Sequence, residues 1–399
     1  MKDVRIVIGA NFGDEGKGLM TDYFCSQTDK PVLNVRFNGT CQAGHTVVKD
    51  GKRHVFAHFG SGSFNSNVVT YLSSYFYVNP ILFNEEYDKL IKMGVKPVVK
   101  VSKQSPIILY YDVIYNRVIE QTRGNARHGS CGMGLWEALL RGRANNKIIV
   151  DDLQKGVKKL RDKITEIRDN YFVEKLKNDG ISLNRNFVID GEFSDCSSWY
   201  DENVVDLYID ECKRMLSRVQ LVDEWSVFED YDYIVFEGAQ GLQLDWMNRQ
   251  YMPYLTASRT GLHNVADMLK YISNPNIEVC YVSRSYLTKH GAGPMPYEVF
   301  SKDDLGVLQE DKTNQKNPWQ GSFRYGYLDL DVLQKSITND LFELYSYSYQ
   351  KSICITHLNE TENMIKQYYK NVSLDEFKGM FDGFRFYFSY SEDGKNMIV

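Results

Sequence analysis

Residues 9–18, Gly-Ala-Asn-Phe-Gly-Asp-Glu-Gly-Lys-Gly, constrain this chain more than any other stretch. They follow an apolar run, residues 4–8, and lead into Leu-Met-Thr-Asp-Tyr-Phe at 19–24, whose patterning is helical rather than alternating. Strand, glycine turn and helix is how a parallel α/β sheet builds a phosphate site. Gly13, Gly16 and Gly18 let the backbone approach an anion, the helix start aims N–H groups at it, and Lys17 adds positive charge. Two acids, Asp14 and Glu15, stand inside the loop. Carboxylates repel bare phosphate, so an acid here implies a bound Mg²⁺ or a proton to be moved.

The loop is not a regular G-x-x-x-x-G-K-[ST] phosphate loop, because Asn11 and Gly18 stand where Gly and Ser or Thr belong. That argues against a plain nucleotide triphosphatase. The 399 residues, 43% of them hydrophobic, suffice for one large α/β domain. A net charge of −5 with no Lys/Arg run excludes a nucleic-acid footprint, and no apolar stretch approaches membrane-spanning length. The seven cysteines, at 25, 41, 131, 196, 212, 280 and 354, form no C-x-x-C pair. They read as reduced, mostly buried thiols, and with a strand-like pattern starting directly after Met-Lys-Asp they predict a cytoplasmic protein without a signal peptide.

Along the chain, strands are expected at 31–37, 233–236, 279–282 and 352–356, with 68–78 strand-rich and a hairpin turning at Asp50-Gly51. Helices are expected at 85–93, 112–121, 135–144, within 152–178 and over 201–218. The stretch 302–322 is polar and expected to be mobile, and 384–399 reads as two short strands around residues 392–394. Loops rich in small, polar or charged residues follow strands at 9–18, 38–46, 122–134, 237–245 and 356–359. In an open α/β sheet such loops meet beyond the carboxyl ends of the strands. The reading is one α/β domain over 1–399: a central, mostly parallel twisted sheet with a P-loop-like nucleotide site, helices on both faces and small inserted antiparallel strands.

Several blocks carry a resemblance. Gly-Asp-Glu-Gly-Lys-Gly at 13–18, Ala-Gly-His-Thr at 43–46, Glu-Gly-Ala-Gln-Gly at 237–241 and Gly-Ala-Gly-Pro at 291–294 resemble, in order and spacing, the adenylosuccinate synthetase family. Gly-Tyr-Leu-Asp at 326–329 and Thr-His-Leu-Asn at 356–359 look like its later blocks. The resemblance implies a ligase that phosphorylates O6 of a purine nucleotide and then lets the amine of L-aspartate displace that phosphate. It implies Asp14 as base for the N1 proton and as Mg²⁺ ligand, His45 as acid, and Lys17 as the charge on the moving phosphoryl group. Gly13, Glu15, Gly16, Gly18 and Thr46 would hold phosphate, and the Gly44 carbonyl the metal. Gln42, Ser130, Cys131, Gln240 and Thr256 would bind the substrate nucleotide. Arg143, or else Arg141, would reach the 5′-phosphate in a partner subunit, implying a homodimer. Gly321, Ser322 and Arg324 would bind aspartate, and His357, Asn359 and Ser389 the base of the nucleoside triphosphate.

Three departures bear on the sub-type. Asn359 stands where the family has an Asp that accepts from guanine's two donors, and an amide, offering donor and acceptor, suits adenine instead. Ser322 and Phe323 replace arginines, one of which normally touches aspartate and the ribose 2′-hydroxyl, so Arg324 is left to bind the aspartate carboxylate and a reason to prefer ribonucleotides is lost. Gln42 replaces the Asn before Ala-Gly-His. These traits resemble the phage-associated branch that makes 2-aminoadenine nucleotides, which would place the protein in a host cytoplasm. Several members of that branch lack the catalytic Asp, whereas Asp14 is retained here. The leading expectation is therefore dGMP or GMP with ATP or dATP and L-aspartate; the alternative is IMP with GTP. A nucleotide sensor on the same fold would need neither base nor acid.

Overall fold

Strand β1 (Lys2–Gly9) is buried at Val4 and at each residue from Ile6 to Gly9. A strand with both faces apolar belongs in the middle of a parallel sheet covered by helices. The computed structural model places it there. It describes the chain except residues 183–185, 190, 191, 196, 308, 310, 312, 315, 317 and 318, and gives only the backbone of 186–189, 192–195, 197 and 198. Cys196 and part of the polar 302–322 stretch thus lie outside the described residues.

The nine-stranded sheet runs Phe384–Phe388, Tyr349–Thr356, Pro275–Arg284, β1, Tyr233–Gly241, β2 (Val32–Arg36), Val68–Leu72, Val98–Ser102, Gln220–Val222. Each neighbouring pair is parallel. The strands therefore end on one edge, and Gly9, Arg36, Gly241, Arg284 and Thr356 deliver their loops to the same place. The expected hairpin forms from His45–Lys49 and Lys52–Phe56 around Asp50 and Gly51.

Some boundaries differ from the sequence reading. The strand in 68–78 stops at Leu72, and the next helix is Pro80–Lys92, starting five residues before the expected 85. Asn79 caps it by accepting from the Leu82 N–H at 3.2 Å, and Pro80 supplies a first-turn residue that needs no N–H partner. At the C-terminus only Phe384–Phe388 joins the sheet; the second expected strand reduces to a bridge between Ile398 and Phe388. The charged region forms Val157–Glu166, a wider turn at Ile167–Phe172, Val173–Asn178 and Glu202–Leu216. No helix among the described residues is long and apolar enough to cross a membrane.

An internal ion pair fixes the outer layer. Asp112 of helix Tyr110–Thr122 accepts from the Leu109 N–H at 2.7 Å and from Arg141 Nε and Nη2 at 3.0 and 2.9 Å. Arg141 also donates to the Ile107 and Asn146 carbonyls. Both side chains are buried. Burial raises the Asp112 pKa and the guanidinium opposes that. Removing one partner strands the other charge, so Arg141→Ala is expected to lose roughly 3–5 kcal/mol in urea unfolding. Arg143→Ala, on the exposed side of the same segment, should stay within about 0.5 kcal/mol.

Candidate active site

Helix α1 (Lys17–Cys25) begins where β1 ends, with Gly16 in the left-handed region at φ 96° as its N-cap. The next glycine explains the departure from a regular phosphate loop. A Cβ at Gly18 would lie 2.8 Å from the His45 Cβ, so Ser or Thr does not fit. Asp14, Gln240 and His357 also have positive φ, at 55°, 65° and 59°. Non-glycine residues held in that region cluster at functional sites. All three line the same cleft.

The cleft is two adjoining chambers, of about 350 and 630 Å³. Asp14, Gly44, Gln240, Thr313 and Asn314 belong to both and form the partition between them. The first is lined by Glu15, Gly16, Lys17, Gly18, His45 and Thr46 together with His357, Asn359 and Ser389. The second holds Gln42, Ser130, Cys131 and Thr256. Here Gln42 Nε2 donates to Thr256 Oγ1 at 2.8 Å, Cys131 Sγ lies 3.5 Å from Gln42 Oε1, and Ser130 Oγ donates to Asn116 Oδ1 at 2.9 Å. Segments 9–18, 38–46, 122–134, 237–245 and 356–359 all contribute, so the five loops do converge.

The remaining candidates lie elsewhere. Gly13 sits behind Gln240, where a Cβ would be 3.5 Å from the Gln240 Cα. Gly321, Ser322 and Arg324 line neither chamber. Arg324 Nε donates to Glu298 at 2.6 Å, and Nη1 donates to the Gly291 and Gly293 carbonyls at 2.9 and 2.8 Å. The alternative role of Arg141 is corrected: buried on Asp112 and two carbonyls, it has nothing to offer a partner subunit. Arg143 is exposed and lies 4.3 Å over the Trp246 ring.

Charge burial dominates the first chamber. Glu237 accepts from the Ser61 N–H at 2.9 Å and from the Ser61 hydroxyl, meets His45 Nδ1 at 2.5 Å and has Arg36 Nη1 at 3.9 Å. Burial alone would raise its pKa, but Arg36, His45 and Ser61 hold it down at about 2. His45 is itself pushed down by burial, with Glu237 opposing. With Nδ1 bound to a carboxylate, the buried Nε2 has no hydrogen-bond partner among the described residues. Lys17 is lowered by burial, and Glu15, 3.9 Å from it, is raised by burial to about 7. Glu15 Oε1 is spent inside the loop, accepting the Asn11 N–H at 2.6 Å. No hydrogen bond from the described residues reaches the Asp14 carboxylate.

The block at 237–241 gives Glu237 no role by pattern alone, and Arg36, Ser61 and Arg284 carry none either, nor do Lys289 and His290, which line the second chamber. An acid ending a buried apolar strand was the available signal for Glu237. Nothing local marked Arg36 or Ser61, which matter through pairing across the sheet.

With the chambers defined, comparison with known proteins decides the family. The family model described as adenylosuccinate synthetase matches residues 6–364. The chain belongs to the adenylosuccinate synthetase family. It is therefore a C–N ligase of the type that joins aspartate to a purine nucleotide. It is 31% identical to the adenylosuccinate synthetase of Picrophilus torridus over 83% of this chain and 73% of that one. The Ectopseudomonas mendocina adenylosuccinate synthetase is 29% identical over 90% and 78%. The fold matches that of the fully ligated adenylosuccinate synthetase from Plasmodium falciparum, with TM-score 0.75, 19% identity and 99% of each chain covered. It also matches the cyanophage S-2L succinoaminodeoxyadenylate synthetase bound to dGMP and dATP, with TM-score 0.60, 16% identity and 100% and 95% covered.

The Glu237 cluster has a pH signature. A carboxyl held below its unfolded value stabilises the fold above that value and loses the contribution as pH falls through the folded one. The stability difference between the parent and Glu237→Gln should be full above about pH 4.5, on the order of 3 kcal/mol, and shrink steadily toward about pH 2. Urea titrations across that range read it; a pH-independent difference would contradict the ionised pairing.

Proposed function

We propose that this ligase joins L-aspartate to C6 of a 2-aminopurine nucleotide, dGMP or GMP, using ATP or dATP, to give 2-amino-(deoxy)adenylosuccinate. The observation that carries the donor choice is Asn359 in the lining of the first chamber. Its amide offers the donor and acceptor that adenine's N1 and N6 require, and guanine's adjacent donors need a carboxylate instead. The neighbouring carboxylate, Glu360, accepts from the Tyr286 hydroxyl at 2.5 Å and is already engaged. The 2-amino acceptor is supported by Asp14, whose carboxylate in the partition can accept from both N1–H and N2–H₂ of guanine.

The chemistry follows from the partition. Asp14 takes the N1 proton of the 6-oxopurine, and O6 attacks the γ-phosphorus across the wall as the bond to the β–γ bridging oxygen breaks and the nucleoside diphosphate leaves. Lys17 and the amides of Gly16 and Gly18 neutralise the moving phosphoryl group, since such transfer depends chiefly on positioning and charge. His45 is neutral in the free protein. The triphosphate's negative charge favours its protonation, and Nε2 then donates to the developing phosphoryl oxygens while Glu237 holds the imidazolium. The amine of aspartate displaces the O6 phosphate from C6.

Asp14 and the Gly44 carbonyl line both chambers and form an oxygen set that suits Mg²⁺. No group of three or more acidic, His or Cys side chains among the described residues forms a cage, so other ligands would come from phosphates and water. Bound there, Mg²⁺ neutralises charge on the triphosphate. Glu298 and Arg324 form a partly exposed pair, which contributes little stability and can exchange, so Arg324 can turn to an aspartate carboxylate with Gly321 and Ser322 beside it. Arg143 is the residue we assign to the nucleotide of a partner subunit in a homodimer.

A second reading, IMP with GTP, is favoured by the retained Asp14 and by the family of the curated relatives. Turnover of IMP, GMP and dGMP crossed with ATP, dATP and GTP, read by product mass, separates the two. Activity with dGMP or GMP and an adenine donor is expected; turnover restricted to IMP with GTP would overturn the proposal. Asn359→Asp should move the ATP-to-GTP ratio of kcat/KM toward GTP by about 10-fold or more, the scale of a buried hydrogen-bond mismatch. Asp14→Asn should lower kcat by roughly 10²-fold or more, read by steady-state kinetics at saturating substrates.

A further inference from the structure

Arg284, the last residue of the strand Pro275–Arg284, is buried and commits its guanidinium in three directions. Nε donates to the Asp14 carbonyl at 2.6 Å, Nη1 to the Tyr286 hydroxyl at 2.9 Å, and Nη2 to Asp311 Oδ2 at 2.6 Å. Each arm ends at a different part of the cleft. The Asp14 carbonyl belongs to a residue in the left-handed region, where its conformation must be imposed by neighbours. Asp311 accepts from the N–H groups of Thr313 and Asn314 at 2.9 and 2.8 Å and from Asn314 Nδ2 at 2.9 Å. That fixes the turn carrying two residues of the partition. Thr313 Oγ1 in turn meets Thr46 Oγ1 at 3.0 Å and accepts from Arg53 Nη2 at 2.6 Å. The third arm passes through Tyr286 to Glu360, next to Asn359, while Ser285 Oγ donates to the His357 carbonyl at 3.1 Å.

We propose that Arg284 is a positioning residue for the phosphoryl step, holding the Asp14 backbone, the Thr313–Asn314 turn and the donor-base segment in one register through Asp311 and Tyr286. The inference rests on the reaction assigned above but concerns how its residues are held in place. Lysine cannot replace Arg284, because one ammonium cannot reach three acceptors in fixed, divergent directions. Asp311 is held well below the usual carboxylate range, with Arg284 and the Asn314 N–H opposing the effect of burial, consistent with an ion pair that stays charged. A guanidinium here therefore sets geometry across the wall through which phosphorus must pass, and a misplacement of about 1 Å at such a point costs roughly 10²-fold in rate.

The test is a double-mutant cycle with Arg284→Lys, Asp311→Asn and the pair together, each checked for folding by its urea midpoint. Two readouts are taken: steady-state kinetics on the best nucleotide pair, and calorimetric affinity for a non-hydrolysable ATP analogue with and without the acceptor nucleotide. Each single variant is expected to lower kcat about 10- to 100-fold with KM for each substrate within about threefold, and the pair to lose no more than the worse single. The tightening of the ATP analogue by acceptor nucleotide in the parent should disappear in all three. Kinetics within twofold of the parent with that tightening retained, or additive losses, would overturn the assignment. If the parent turns over no nucleotide pair, the proposed reaction fails instead, and Arg284 is still judged by the two-ligand affinities: tightening lost in the variants supports it, tightening kept or never present overturns it.

Discussion

A carboxylate buried at the mouth of a parallel sheet is the constraint on which the site depends. Glu237 continues the strand Tyr233–Gly241 into the cleft and pairs across the sheet with Arg36 of β2. A lone buried charge is costly, and here it is offset by a guanidinium, an imidazole, a hydroxyl and a backbone N–H. Satisfying it fixes where the loop 38–46 and the Ser61 turn must lie. His45, so oriented, lines the first chamber beside Lys17 and Gly18. The close approach of His45 to Gly18 then sets what α1 can carry at its first turn.

Separate physical effects act on the two acids inside the first loop. Glu15 is buried against Lys17 and its oxygen closes the loop on Asn11. Asp14, one residue earlier, lines both chambers, and its carboxylate takes no hydrogen bond from the described residues. A repulsive pair of acids becomes intelligible once one is internal and the other lines the cleft.

Much of this was legible in the sequence because it depends on local pattern. The apolar run before Gly9 marks the central strand, and Gly16, Gly18 and the block at 43–46 mark turns that line the cleft. Helix starts were less visible: the Asn79-Pro80 signal was masked by the apolar Ile81, Leu82 and Phe83 that continue the strand-like composition. The candidates after residue 320 depend on tertiary pairing. Whether Arg324 meets a ligand or Glu298 is decided by a carboxylate 26 residues away. The hub at Arg284 was invisible for the same reason: its acceptors come from residues 14, 286 and 311.

The two chambers meet at a wall whose residues Asp14, Gly44, Gln240, Thr313 and Asn314 line both. For a ligand designer this geometry is a bridge rather than a barrier. A single molecule carrying a purine nucleoside at each end of one phosphate chain would occupy both chambers while giving up translational freedom once. Its second half would bind at the high effective concentration set by the short tether.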